Sequence, residues 1–197
     1  MDIIQKPCAT GNWRAGRKFS ATFPKIAGLV IHVMDGYLTG TDAFFNTAPA
    51  DRTGGQKGNP SSAHYGIGQA GEVHQYVKDE DTAYHAGRVN KPAWPLIQPF
   101  WNDAAGKYSG VNPNAITIGI EHEGAASQAF AAKLKLAFEW PDAMVQASAE
   151  LIAALCAKHS IPIERGFIVG HHEIFQPKPC PGDLAIVDRL VARAKTV

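Results

Sequence analysis

The sequence predicts an α/β domain, a mixed central β-sheet flanked by helices. Three observations carry this expectation. Residues 27–34, Ala-Gly-Leu-Val-Ile-His-Val-Met, are a short β-branched apolar run of the kind that fills a strand buried on both faces. Residues 116–121, Ile-Thr-Ile-Gly-Ile-Glu, alternate strictly. That places the isoleucines on one face and Thr117, Gly119 and Glu121 on the other. Two helical patterns follow, one opening at Pro141 and one spanning 184–194, so strands and helices mix along the chain.

Residues 1–25 are polar and read as irregular, so 1–26 is expected to be an extension packed on or near a domain of residues 27–197. Gly36 and Gly40 end the first strand, and Thr41–Phe45 reads as a short capped helix. Residues 49–62, rich in Pro, Gly, Ser and Asn, read as a loop. Residues 64–68 and 73–77 flank the turn signal Ala70-Gly71 and predict a hairpin. Residues 88–113 hold four Pro and two Trp without periodicity; a loop that long is usually functional or mobile. Pro141 sits at the favoured first position of a helix, whose apolar stripe is Met144, Val145, Leu151, Ile152, Leu155 and Cys156. Residues 167–170 form a short strand, and Leu184, Val187, Leu190 and Val191 line the inner side of the last helix.

The 197-residue length suits one compact domain. Hydrophobic content of 45% and charged content of 19% exclude a disordered chain. A net charge of +1 gives no electrostatic footprint for nucleic acid or a membrane surface. Three cysteines cannot all pair within the chain, which argues against a disulfide scaffold. No apolar run approaches the ~20 residues that span a bilayer, so no membrane insertion is expected. The N-terminus has no apolar signal-peptide core. The expectation is therefore synthesis in the cytoplasm, with action outside it only after release through a membrane pore. A monomer is expected.

The segment Gly170-His171-His172-Glu173-Ile174-Phe175-Gln176-Pro177-Lys178-Pro179-Cys180-Pro181-Gly182 carries the most chemistry. Two His and one Cys are a recognised zinc ligand set that leaves the fourth position to water. His32, inside the first strand, is either a satisfied core histidine or the ligand that converges on this segment. Of the adjacent His171 and His172, an extended backbone would aim only one inward, and spacing does not choose between them. Glu121 is either a solvated strand terminus or a functional base. His122 and Glu123 are expected to face solvent or a loop, and His64, His74 and His159 to be structural. His85 could line a cleft or satisfy a turn. Cys180 as a cysteine nucleophile is less attractive, because no helix N-terminus would lower its pKa. A phosphate loop and a Gly-x-Ser-x-Gly elbow are both absent.

Taken in order, His32, Ala63-His64-Tyr65-Gly66-Ile67 with Gly71-Glu72-Val73, Tyr84-His85-Ala86-Gly87, Asn114 to Glu121, Gly170-His171 and Lys178-Pro179-Cys180-Pro181-Gly182 resemble the type 2 N-acetylmuramoyl-L-alanine amidases. That family includes T7-type lysozymes, AmpD-like amidases and animal peptidoglycan recognition proteins. The resemblance runs from about residue 27 to 195. It implies zinc in a surface groove on the sheet, with ligands His32, His171 and Cys180. It implies catalytic roles for Glu121 and Lys178, and substrate contacts at His85, Asn114 and Tyr65. The implied reaction is cleavage of the N-acetylmuramic acid to L-alanine amide in peptidoglycan or muropeptides. Ala63 stands where the T7-type branch has a catalytic tyrosine, which favours Glu121 as the base. Cys180 stands where the AmpD-like branch has aspartate. A bacteriolytic endolysin is the favoured role; a cytoplasmic recycling amidase and a non-catalytic peptidoglycan-binding module are the alternatives.

Overall fold

The computed structural model describes residues 1–197. Along the chain the strands are β1 (Ile3–Gln5), β2 (Trp13–Arg14), β3 (Gly28–Val33), β4 (Tyr65–Ile67), β5 (Val73–Gln75), β6 (Thr82–Ala83), β7 (Trp101–Asn102), β8 (Lys107–Tyr108), β9 (Thr117–His122) and β10 (Ile168–Gly170). The helices are α1 (Leu38–Phe45), α2 (Pro113–Ile116), α3 (Gln128–Leu134), α4 (Asp142–His159) and α5 (Ala185–Ala194). Six strands make the central sheet in the order β1-β5-β4-β9-β3-β10. Only the β4–β5 hairpin is antiparallel; β1–β5, β4–β9, β9–β3 and β3–β10 are parallel. The mixed sheet expected from the sequence is therefore present.

All six residues of β3 are buried. This explains why its sequence is continuously apolar rather than alternating: a strand with parallel neighbours on both sides is covered on both faces. Leu29 and Ile31 join Ile118, Ile120, Ile67 and Ile168 on the face that carries α4 and α5. The inner sides of those helices, including Met144, Leu151, Ile152, Val187 and Leu190, close this core. Each such side chain contributes about 1.5–3 kcal/mol of burial free energy. Val30 and Val169 point to the other face, where Trp94, Ile97 and Ile116 cover them.

That second layer is built largely from the 88–113 segment. Trp94 is fully buried and donates from Nε1 to the Gly166 carbonyl at 3.0 Å. The backbone N–H groups of Ala93 and Trp94 bond the Glu173 carbonyl, and those of Asn90 and Gln176 bond Ile174 and Asn90. The long irregular segment is thus a packed wall against residues 173–176, and β7 and β8 form a small hairpin within it.

Several local expectations are corrected. Residues 3–5, read as irregular, form β1 at the sheet edge, and residues 13–14 pair with β6. Residue Ile116 ends a helical turn rather than starting the strand, because Pro113 opens α2 and the Asn112 side chain caps it by accepting from the Asn114 N–H at 3.0 Å. Helix α1 begins at Leu38, earlier than Thr41, without a side-chain cap.

Candidate metal centre

Three parallel strands end side by side at one edge of the sheet. His32 lies beside Glu121 in the β3–β9 register, and Gly170, next to Ile31 in the β3–β10 register, leads directly into His171. In open sheets, ligands collect at these carboxyl ends of the strands. The backbone then makes a short 3₁₀ turn over His171–Glu173. This turn is held by the Glu173 carboxylate, which accepts from the Gly170 N–H at 2.7 Å and from Arg165 at 3.0 Å. The residue before His171 is glycine for a packing reason. A Cβ there would come within 2.7 Å of Pro181 and Leu184, so the loop carrying Cys180 could not close onto the strand. The His172 N–H bonds the Cys180 carbonyl at 2.8 Å and completes that closure.

The closure brings the donor atoms of His32, His171 and Cys180 within 4.8 Å of one another, all three residues being buried. Cys180 Sγ lies 3.8 Å from His32 Nδ1 and accepts from the Val33 N–H at 3.2 Å. His32 Nε2 faces His85 Nδ1 at 3.0 Å, and His171 Nε2 faces the Ala86 carbonyl at 3.2 Å. Burial pushes the His32 pKa well below the ordinary range. Burial, with the Lys178 charge adding, lowers His171 to about 4. Both imidazoles are therefore neutral at physiological pH, as metal ligands must be. Burial raises the Cys180 thiol, with Glu121 adding to the effect. A raised thiol is a poor nucleophile, which argues against the cysteine-nucleophile alternative. The same thiol would lose its proton to an incoming cation. Two neutral imidazoles and one thiol fit a borderline-soft ion such as zinc, with bonds of about 2.0–2.3 Å.

Glu121 stands beside this cluster on the neighbouring strand. Its Oε2 is inaccessible and has no hydrogen-bond partner. Burial raises its pKa to about 8, Asp35 adds to the rise and Lys178 offsets part of it. An unpartnered buried carboxyl oxygen costs free energy, which makes Glu121 a candidate functional group. Lys178 is exposed, and its charge reaches Glu121, His171 and Cys180. From Glu121 a groove of about 350 Å³ runs along Asp35, Tyr37, Phe44, Gln56 and Ser61.

The other expected contacts fall elsewhere. Tyr65 is paired with Ile120 and so points to the helix face, where its hydroxyl donates to Asp79 at 2.6 Å; it does not line the groove. Asn114 is buried, and its Oδ1 accepts from the His85 and Ala86 N–H groups at 3.1 and 2.7 Å, so it holds a turn rather than a substrate. His85 is buried behind His32. His172, beside the cluster, is not among the converging donors. His122, expected at the surface, is fully buried: its ring bonds the His32 carbonyl at 2.9 Å and Ser148 at 2.8 Å, and stacks on Trp140. Strand alternation past Glu121 carried the signal, because it sends residue 122 to the helix face. Arg17 carried no such signal. It reaches in from the N-terminal segment and donates to the carbonyls of Asn114, Ala115, Thr117 and Asp79.

A mixed sheet with buried His32, His171 and Cys180 donors gathered at the carboxyl ends of its parallel strands, and Glu121 beside them, defines an α/β protein with a candidate metal site. The chain belongs to the Amidase_2 family, N-acetylmuramoyl-L-alanine amidase, whose model matches residues 22–183. It is similar to N-acetylmuramoyl-L-alanine amidase A of Achromobacter lyticus, with 27% identity over 164 residues, 81% of this chain and 64% of that protein. The chain thus spans less than two thirds of that relative's length. Among solved structures the fold matches a selenomethionine AmpD derivative at TM-score 0.65 and 24% identity, over 95% of this chain and 93% of that one. It also matches the catalytic domain of XlyA, at TM-score 0.58 and 20% identity over 98% and 99% of the two chains. A third match is Escherichia coli AmiD, at TM-score 0.59 and 23% identity over 88% and 60%, in complex with the substrate anhydro-N-acetylmuramic acid-L-Ala-D-γ-Glu-L-Lys.

Proposed function

We propose that this protein is a zinc-dependent N-acetylmuramoyl-L-alanine amidase that hydrolyses the amide between the lactyl group of N-acetylmuramic acid and L-alanine. The observation that carries the reading is the unpartnered Glu121 carboxylate beside a converging His32, His171 and Cys180, in a chain of the amidase family. His32, His171 and Cys180 would hold the ion. When bound, zinc supplies Lewis acidity and a water acidified to a pKa of roughly 7. Glu121 accepts the proton of the attacking water and passes it to the alanine nitrogen as the C–N bond breaks. Burial raises its proton affinity, which suits delivery of the proton to the leaving nitrogen, and the charge of a bound cation would lower that affinity and keep the carboxylate able to accept. Lys178 places its ammonium near the carbonyl oxygen that gains negative charge; a donor of this kind is worth about 10²–10³ in rate. The groove leading away from Glu121 takes the stem peptide or the glycan.

The role favoured is lytic, on polymeric wall peptidoglycan, as for an endolysin. The fold is shared over nearly the whole chain with the XlyA catalytic domain and equally with AmpD, so the substrate form is what the experiment must separate. Mass spectrometry of products from intact sacculi and from soluble muropeptides does this. The expected products carry free L-alanine N-termini, with no new reducing sugar ends, and sacculi are cut efficiently. Cleavage of soluble muropeptides alone would replace the lytic role by recycling. Binding without cleavage in the zinc-loaded protein would make the chain a binding module.

A further inference from the structure

The segment His85–Ala86 touches both candidate imidazole ligands from behind, and each contact has a direction. The Thr117 hydroxyl has one proton and donates it to the Pro113 carbonyl at 2.7 Å. Toward His85 Nε2, at 3.2 Å, the same oxygen can only accept. The His85 proton therefore sits on Nε2, and its Nδ1 is bare. Across the 3.0 Å contact, His32 Nε2 must then be the donor, which leaves His32 Nδ1 bare on the side where Cys180 Sγ lies. One residue further on, the Ala86 carbonyl accepts from His171 Nε2 and leaves His171 Nδ1 bare as well. The Asn114 Oδ1 pins the backbone N–H groups of both His85 and Ala86. The His85 ring is also fitted to its place, since a Cβ at Gly119 would come within 2.4 Å of it.

We propose that the His85–Ala86 segment, clamped by Asn114, is a positioning element that presets both metal-binding imidazoles as the Nε2–H tautomer, with Nδ1 turned to the ion. The inference rests on the zinc reading of His32 and His171, and it assigns His85 a task behind the ligand rather than against substrate. Partners of this kind orient ligating histidines, and removing one typically costs about 10–100-fold in metal affinity.

The test uses the full chain. Zinc dissociation constants are measured by chelator competition for wild type, His85→Leu, His85→Asn and Thr117→Val, with the thermal midpoint of each metal-free protein as a folding control. Long-range proton–nitrogen NMR reads the tautomers of His32 and His171 before metal is added. The metal-free wild type should show both rings protonated at Nε2. His85→Leu, which keeps bulk and removes the acceptor, should weaken zinc about 10–100-fold and mix the His32 tautomers while His171 keeps its own. His85→Asn, whose amide oxygen replaces Nδ1, should restore most of the affinity. Thr117→Val leaves the His85 ring in place and frees its proton, so it should also mix the His32 tautomers; it carries the test if His85→Leu fails to fold. A wild type with His32 protonated at Nδ1, or a folded His85→Leu with wild-type affinity and unchanged tautomers, overturns the proposal. A wild type that binds no zinc at all, with both tautomers as stated, instead removes the metal reading beneath it.

Discussion

His171 and His172 are neighbours in sequence, yet only His171 turns its ring to His32 and Cys180. The 3₁₀ turn separates them, where an extended strand was expected to do so. His171→Ala should therefore lose zinc, while His172→Ala keeps it with a modest defect at most. Metal analysis of the two purified variants checks this, and the reverse result would shift the ligand by one residue. Glu121→Gln keeps shape and removes the base, so turnover should fall about 10²–10⁴-fold with zinc retained. Steady-state kinetics on a defined muramyl peptide, paired with metal content, reads both quantities. The same residue has a consequence for the metal-free protein. Its folded pKa, about 8, lies above the ordinary 4.5, so the folded state holds a proton that the unfolded chain releases first. That contribution to stability is complete below about pH 4.5 and is lost as pH rises toward 8. Between about pH 4.5 and 8 the thermal midpoint of metal-free wild type should fall relative to that of metal-free Glu121→Gln, because the opposing contribution of the buried imidazoles is common to both and cancels in the difference. Parallel pH profiles of the two midpoints would refute the assignment.

At the scale of elements, Asp79 ties the segment after the β4–β5 hairpin to the last turn of α4. It is 2% exposed and accepts from Tyr65, Lys158 and His159 at 2.6, 2.8 and 2.9 Å. Asp79→Asn should cost about 1–3 kcal/mol, the range for disturbing a buried hydrogen-bonded group, measured by urea denaturation. Tyr65→Phe should cost less and leave turnover intact, because this ring faces the helices. A collapse of turnover in Tyr65→Phe would place the hydroxyl back in the groove. Most of the elements were legible in the sequence, several because their apolar residues repeat at the period of their backbone. The β9 alternation and the two long helices did so, while β3 showed as a continuous apolar run and the hairpin through its Ala70-Gly71 turn signal. The convergence of His32, Glu121, His171 and Cys180 was legible only through the order of motifs, since nothing local says that three strand ends lie adjacent. Strand β1 and Arg17 were not legible. A three-residue edge strand is too short to show a period, and an arginine in a polar stretch looks solvated until its carbonyl partners are brought to it from about a hundred residues away.

Across the whole molecule, the position of β3 shapes how the protein must be made. It lies between β9 and β10, and both of its neighbours are parallel. Neither partner strand is contiguous with it, and β10 begins at Ile168. Pairings of such long sequence separation pay loop-closure entropy before they gain contact energy, and they make folding slow. During synthesis at about 5–20 residues per second, β3 exists for on the order of ten seconds before β10 leaves the ribosome. For that interval Leu29-Val30-Ile31-His32-Val33 is an uncovered β-prone apolar segment, the kind that pairs with other chains. The ligand set is completed only when residues 168–180 arrive. A metal held by this set would accordingly be captured late in the life of the chain, and a nascent protein arrested before residue 168 would hold His32 and Glu121 in a sheet edge still open to aggregation.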